Sequence, residues 1–345
     1  MVEDPYSARF HPCQPGRNPG DALLIEGLQM AQDFTHSPVM VAEVVELFSP
    51  VPPGAVVDAT IGGGGHAEAI LEAHPGLSVL GLDRDPDALV AAGARLGRFG
   101  PRVELLHAPF DSLAERAGAW SARTGLAVVG VLFDLGVSSP QLDRPERGFS
   151  YRAGGPLDMR MDPTAALTAA DVVNGYPEAE LAALFAASGE GRLARRIARA
   201  VVRARPIQDT SQLAEVVAAA VPAPARRRGH PAARVFQAVR VEVNGELDQL
   251  AAALYAVPEV IVPSGRVCVI AYHSGEDRLV KARFSHWATG GCVCPPGLPC
   301  VCGARPRARL LNRGARKAGA AEVEANPRAS AARLRAVEWS AAPAA

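Results

Sequence analysis

VVDATIGGGGHAEAI, residues 56–70, is the stretch on which the reading of this chain turns. A β-branched apolar run ends near Asp58, four glycines follow at 62–65, and residues of helical character begin at His66. Glycines let a backbone approach a ligand closely, and the N–H groups at a helix start suit a polar one. The next apolar run, VLGLD (79–83), ends in Asp83, 18 residues past Gly65. An acid at that place can bind both hydroxyls of a ribose. Strand, glycine loop, helix, strand and terminal acid in this order point to a nucleoside-containing cofactor.

VELLH (103–107) and VGVLFD (129–134) continue the series of apolar runs, separated by helix-like stretches at 66–74, 86–97 and 111–124. Near-continuous apolar strands alternating with helices indicate a parallel sheet covered on both faces. Over 142–240 no good strand occurs, and Ala, Leu, Glu and Arg recur at helical spacing; a strand returns at RVCVIAYHS (266–274). The expected fold is α/β, a Rossmann-like sheet interrupted by an all-helical domain. Residues 1–35, rich in Pro, are expected as a flexible extension and 339–345 as a flexible tail. Residues 36–141 and 234–338 are assigned to the sheet domain, and 142–233 to the insertion.

With 345 residues, 48% of them apolar and 21% charged, the chain has the composition of a globular protein of about two domains. Neither a membrane span nor a signal-peptide core is visible, so a cytoplasmic location is expected. Lys plus Arg and Asp plus Glu both number 36, which excludes a uniformly basic nucleic-acid binder but not a basic face. Arg192, Arg195, Arg196, Arg199 and Arg203 follow helical spacing and share one face. Arg226, Arg227 and Arg228 form a basic loop. Over 190–240 there are 11 Arg against Glu190, Asp209 and Glu215, a local charge of 11 − 3 = +8. Residues 303–317 hold six basic groups and no acid. Such segregation is the footprint of phosphate contact, so these arginines are the candidates for holding a nucleic-acid backbone.

The cofactor has two readings at this level. Gly62-x-Gly64-x-x-Ala67 fits the dinucleotide fingerprint. Asp58, however, would lie awkwardly near a pyrophosphate, and suits the amino group of the methionine part of S-adenosylmethionine. The fourth run leads into DLGVSSPQLD (134–143), where catalytic loops of open α/β sheets lie. SSPQ resembles the (D/N/S)-P-P-aromatic loop of methyltransferases that act on exocyclic amines, with Gln141 at the second Pro and Leu142 at the aromatic.

HSPVM (36–40), GGGGH (62–66), LDRDPDAL (82–89), APFDSL (108–113), DLGVSSPQLD (134–143), RGFSY (147–151), GPLDMRMDP (155–163), RVFQAVRVEVNGEL (234–247) and YHSGEDRLVK (272–281) follow in that order. Over about residues 36–330 the chain resembles the bacterial ribosomal RNA small-subunit methyltransferase H family, also called the MraW family. The resemblance implies a class I S-adenosylmethionine-dependent methyltransferase with an inserted helical domain. It further implies methylation of the exocyclic N4 amine of one cytidine in the decoding region of small-subunit (16S) ribosomal RNA, the RNA or the small ribosomal subunit being the partner. Carried over by motif, the cofactor contacts are Gly64, Gly65, His66, Asp83, Phe110, Asp134 and Gln141. Gly63 and Gly275 stand where the family usually carries larger residues, Leu in the second case. No role is assigned to single arginines in NPRASAARLR (326–335).

Asp134, Ser138 and Ser139, or the backbone carbonyls of the SSPQ loop, are the candidate acceptors for the amine protons. Ser274 with Asp277 resembles a helix cap, which leaves Tyr272 and His273 as candidates for contacting the base. Cys292-x-Cys294-x5-Cys300-x-Cys302 matches a four-thiolate zinc site, but two C-x-C pairs chelate a tetrahedral ion less well than C-x2-C pairs. Unligated thiols are therefore expected there. No catalytic metal is expected, because methyl transfer from a sulfonium needs none. A nicotinamide-dependent oxidoreductase and a non-catalytic ribosome assembly factor are the alternatives. The first does not account for SSPQLD or the basic face, and the second would predict a broken glycine loop.

Overall fold

The computed structural model describes residues 38–223, 230–295 and 301–340. The expected extension at 1–35 and Arg226, Arg227 and Arg228 lie outside the described residues. So does Cys300.

The apolar runs form β1 (Gly54–Asp58), β2 (Leu77–Asp83), β3 (Val103–His107), β4 (Val128–Asp134) and β5 (Ile261–Ala271). Two strands at the C-terminal edge, β6 (Ala308–Leu310) and β7 (Arg333–Trp339), complete the sheet. Its order is β3-β2-β1-β4-β5-β7-β6. The first five strands are parallel, and β7 runs antiparallel to both β5 and β6. Strand order reverses between β1 and β4, which opens a crevice at their carboxyl ends.

Side chains leave a strand alternately to opposite faces, and each face meets its own helices. On one face Val56, Val129 and Leu132 pack with α1 (Val41–Phe48), α2 (Gly65–Ala73) and α3 (Pro86–Leu96). On the other, Val57, Val131 and Phe133 pack with α4 (Leu113–Thr124). A short α5 (Ser139–Asp143) follows β4.

The chain then builds a second hydrophobic core of its own. It comprises α6 (Ala169–Gly175), α7 (Glu178–Phe185), α8 (Ala194–Arg203), α9 (Thr210–Ala220) and α10 (Ala232–Asn244). α8 buries Ala194, Ile197, Ala198 and Val201 and turns Arg195, Arg196, Arg199 and Arg203 outward. Val235, Phe236, Val239 and Val243 of α10 belong to this core, so we place the end of the insertion at Asn244 and not at 233. After the left-handed Gly245, α11 (Glu246–Val260) returns to the sheet, and with α12 (Ser274–Thr289) it joins α4 on its face. α13 (Ala320–Ala325) precedes β7.

The edge strands were not expected. In β7, RLRAVEW, charged and small residues dilute the apolar signal, and only its place between β5 and β6 makes it a strand. The tail expected from 339 does not begin there: Trp339 is the buried last residue of β7, edge-on to Trp287, and 341–345 lie outside the described residues.

Gly130 in β4 marks the tightest packing under the sheet. A Cβ there would lie 2.6 Å from the Phe48 ring and 3.0 Å from Val56. Gly130→Ala is expected to cost ~1–3 kcal/mol through overpacking. Denaturant unfolding checks this, and an unchanged midpoint would show that α1 shifts freely.

Candidate active site

Three adjacent strands end in aspartate: β2 in Asp83, β1 in Asp58 and β4 in Asp134. Parallel register sets these ends side by side, Asp58 opposite Gly81 on one flank and Leu132 on the other. Above them lies a cavity of about 430 Å³. That size suits a nucleoside-containing small molecule.

Asp83 ties two loops together. Its Oδ2 accepts the Gly62 N–H at 2.8 Å, and its Oδ1 accepts the Asp85 N–H at 2.9 Å. Burial nevertheless pushes its carboxyl up to about 6. Asp58 goes further, to about 8, because it is fully buried and the charges of Asp134 and Asp83 add to the penalty; the Thr60 N–H opposes it. Asp58 lies beneath the cavity floor at 1% exposure and does not line it. It is therefore not the contact for a ligand's amino group that its place before the glycine loop suggested. Asp83 and Asp134 are the aspartates that face the space.

Asp134 is raised chiefly by burial, against the opposing pull of His66 and Tyr272. The Tyr272 hydroxyl donates to its Oδ1 at 2.8 Å, and His66 Nδ1 stands 3.6 Å from its Oδ2. His66 Nε2 donates to the Val39 carbonyl at 2.9 Å. With Nε2 so engaged, Nδ1 is the ring nitrogen that faces Asp134.

The SSPQ loop is a helix start. Ser138 Oγ accepts the Gln141 N–H while Gln141 Oε1 accepts the Ser138 N–H, a capping box with Pro140 at the first turn. Gln141 Nε2 donates to Asp85 Oδ2 at 2.7 Å, and Arg147 Nη2 donates to the same oxygen at 2.9 Å. These bonds clamp the loop to the start of α3. Ser139 Oγ accepts from Arg328 Nη1 at 2.6 Å, and Arg328 also pairs with Asp143.

Gly65, His66, Asp83, Phe110, Asp134, Ser138, Ser139, Gln141 and Tyr272 all line the cavity. The Phe110 ring stands edge-on to Phe133, with the Arg84 guanidinium 5.4 Å from its centroid. Gly64 does not line it: with φ 78° it caps α2, and a Cβ there would press on Leu96 at 3.0 Å. His273 does not line it either. Its Nδ1 accepts the Gly275 and Glu276 N–H groups as the cap of α12, and Glu276 answers by accepting the Tyr272 and His273 N–H groups. The cap is thus His273 with Glu276, one residue before the expected Ser274 with Asp277, whose carboxylate binds Arg335. Gly275 permits this fold-back, since a Cβ would lie 3.0 Å from the His273 ring.

Sequence reasoning missed Thr60, Arg84, Arg240, Glu246, Glu276 and Arg328 in the lining. Arg240 and Glu246 form a buried ion pair at 2.8 and 2.9 Å across the turn at Gly245. Burial raises the Glu276 carboxyl, but His273 and Arg240 reverse this and hold it below its ordinary value. Thr60, Arg84 and Arg328 carry no local signal, because each is tied to its place by a partner far along the chain. Of the basic residues, Arg192, Arg195, Arg196, Arg199 and Arg203 are exposed on or beside α8.

The chain matches the model of the MraW methylase family over residues 33–340. It is 47% identical to the ribosomal RNA small subunit methyltransferase H of Mycobacterium avium over 354 aligned residues, covering 98% of this chain and 91% of that one. The like-named proteins of Heliobacterium modesticaldum and Symbiobacterium thermophilum are 47% and 50% identical. Each of those alignments covers 88% of this chain, and 98% and 96% of the relative. The nicotinamide reading has no place beside these matches.

The buried aspartates make stability depend on pH in a definite direction. Asp58 and Asp83 have folded values of about 8 and 6 above an ordinary 3.8, so the folded state holds protons that the unfolded state has released. Stability is fully present below about pH 4 as far as these groups go, and is lost as pH rises toward 8. A tenfold difference in proton affinity between the folded and unfolded states is worth ~1.4 kcal/mol, so the ligand-free protein is expected to lose more than ~2 kcal/mol across that window. Asp58→Asn should flatten the profile. Equal slopes for both proteins in denaturant titrations between pH 5 and 8 would contradict the assignment.

Proposed function

The chain belongs to the MraW methylase family, and from that premise we propose that it methylates the exocyclic N4 amine of a cytidine in the decoding region of small-subunit ribosomal RNA. S-adenosylmethionine is its cofactor, and when bound it supplies an electrophilic methyl group on a sulfonium. The names of the relatives support the RNA class, and the clamped SSPQ loop supports the amine. The observation that carries the reading is the Asp134 carboxylate, held by Tyr272 and His66 where the glycine loop and the SSPQ loop meet.

The residues fit the cofactor. The backbone turns of Gly62, at φ 51°, and Gly64 bring the chain close to the cavity, and Asp83 offers ionisable oxygens at its rim. Gly65 lines the wall at a point where a Cβ would meet Pro38 at 2.5 Å. Asp83 would accept from ribose hydroxyls, and Phe110 would cover an adenine edge or face.

A cytosine amine is a poor nucleophile because its lone pair is delocalised into the ring. An acceptor that holds its N–H groups orients the lone pair as conjugation is lost, and fixed placement replaces a costly encounter. Asp134 is that acceptor in this reading. His66 Nδ1 stands next to Asp134 and would take part in passing on the released proton. Tyr272 fixes the carboxylate plane. The base must leave its stack to arrive there, at a cost of a few kcal/mol. The exposed arginines of α8 would hold the flanking phosphates, with the small subunit or its RNA as the partner.

Asp134→Asn is expected to slow single-turnover methyl transfer at saturating S-adenosylmethionine by at least ~100-fold, about 2.7 kcal/mol, with RNA affinity within a few-fold. Ser138→Ala, which removes only a cap, should change the rate far less. Near wild-type rates for Asp134→Asn would assign the orienting role to backbone carbonyls.

Replacing Arg195, Arg196 and Arg199 together should weaken RNA binding. It should also flatten its salt dependence by up to ~0.9 log units of slope per lost phosphate contact, with cofactor affinity unmoved. An unchanged salt slope would make this face a solvated surface only.

A further inference from the structure

Beyond the cavity, the structure gathers three thiols that the methyl-transfer reading does not use. Cys292, Cys294 and Cys302 bring their sulfurs within 4.8 Å of one another in the loop between α12 and β6. Against the sequence expectation of unligated thiols, we propose that these cysteines form a structural zinc-binding site.

The Cys302 and Cys292 sulfurs are 3.7 Å apart. A disulfide would require ~2.05 Å. Two sulfurs bound ~2.3 Å from one tetrahedral zinc stand ~3.8 Å apart. A thiol–thiol hydrogen bond accounts for one such pair but not for a third sulfur drawn to the same point. Cys294 Sγ also accepts the Val301 N–H at 3.4 Å, the kind of backbone donation that offsets charge on a metal-bound thiolate. Left-handed glycines bracket the cluster and turn the chain into it: Gly290 at φ 62°, Gly291 at 74° and Gly303 at 70°.

Among the described residues of the loop, no apolar core forms that could order it. Val293 and Val301, neighbours of the three cysteines, are 84% and 89% exposed. The chain has turned its sulfurs toward one another and its valines toward water, an order that hydrophobic burial does not produce. Soft thiolates select zinc among the common divalent ions, and on binding each thiol gives its proton to solvent. The proposal rests on these three residues; Cys300 lies outside the described residues. The site would fix the approach to the basic stretch that starts at Arg305, where Arg307 lies over Trp339 and its N–H is held by the Trp287 carbonyl.

The test uses the full chain purified under reducing conditions from zinc-supplemented cells and dialysed against a weak chelator. The expected result is about one zinc per chain by elemental analysis. Replacement of that zinc by Co2+ should give the visible absorption of tetrahedral thiolate cobalt. Cys294→Ser and Cys302→Ser should each retain Zn2+ at least ~10-fold more weakly, with cofactor affinity unchanged as a check that the sheet domain is folded. Metal-free protein with titratable thiols and no cobalt band would overturn the proposal. So would a Cys292–Cys302 disulfide found under the same reducing conditions, or serine variants that bind zinc as tightly as the parent.

Discussion

Three carboxylates end three adjacent strands at the base of the cavity, and most of the site is arranged around that fact. Isolated ionised carboxylates cannot stand unpaired at such depth. Asp83 is met by two backbone N–H groups, Asp58 by one, and Asp134 by a phenol and an imidazole. Each partner is also a structural element: the Gly62 N–H shapes the glycine loop, and Tyr272 sits between β5 and the cap of α12. Meeting the electrical demand of the aspartates therefore builds the cavity wall. What the protein partners leave unmet shows in the raised carboxyls of Asp58, Asp83 and Asp134, of which Asp83 and Asp134 face the cavity.

The two cores divide the work. The sheet and its helices hold the aspartates in register, while the insertion has its own hydrophobic interior and turns an arginine face outward. Arg240 and Glu246, on either side of Gly245, join the two halves at the cavity itself. Arg84 reinforces that joint by donating to the Asn244 carbonyl at 2.7 Å. A movement of the insertion would thus be felt at the cavity through these polar links.

The parallel strands and the main helices were legible in the sequence, because β-branched runs ending in Asp and followed by Gly or an N-cap are strong local patterns. The edge strands were not. β7 sets Arg333, Arg335 and Glu338 among its apolar residues, and its strand character comes from pairing with β5. The cavity lining was legible where residues sit at strand ends, as with Asp83 and Asp134, or in the first turn of a helix, as with His66 and Gln141. It was illegible where chemistry depends on contacts far apart in sequence. Arg328 reaches Ser139 across 189 positions, and Tyr272 reaches Asp134 across 138. His273 was misread for a local reason: an imidazole is seldom expected as an N-cap, and Gly275 makes room for it.

The central claim is that a carboxylate at the end of β4 serves the exocyclic amine of cytosine in small-subunit RNA. The most direct measurement incubates the purified protein with S-adenosylmethionine and small subunits from cells that lack it, then identifies the methylated nucleoside and its position by mass spectrometry. The account expects one new methyl group on N4 of a single cytidine in the decoding region. A methyl group on another atom or another base, or none while the cofactor remains bound, would contradict it.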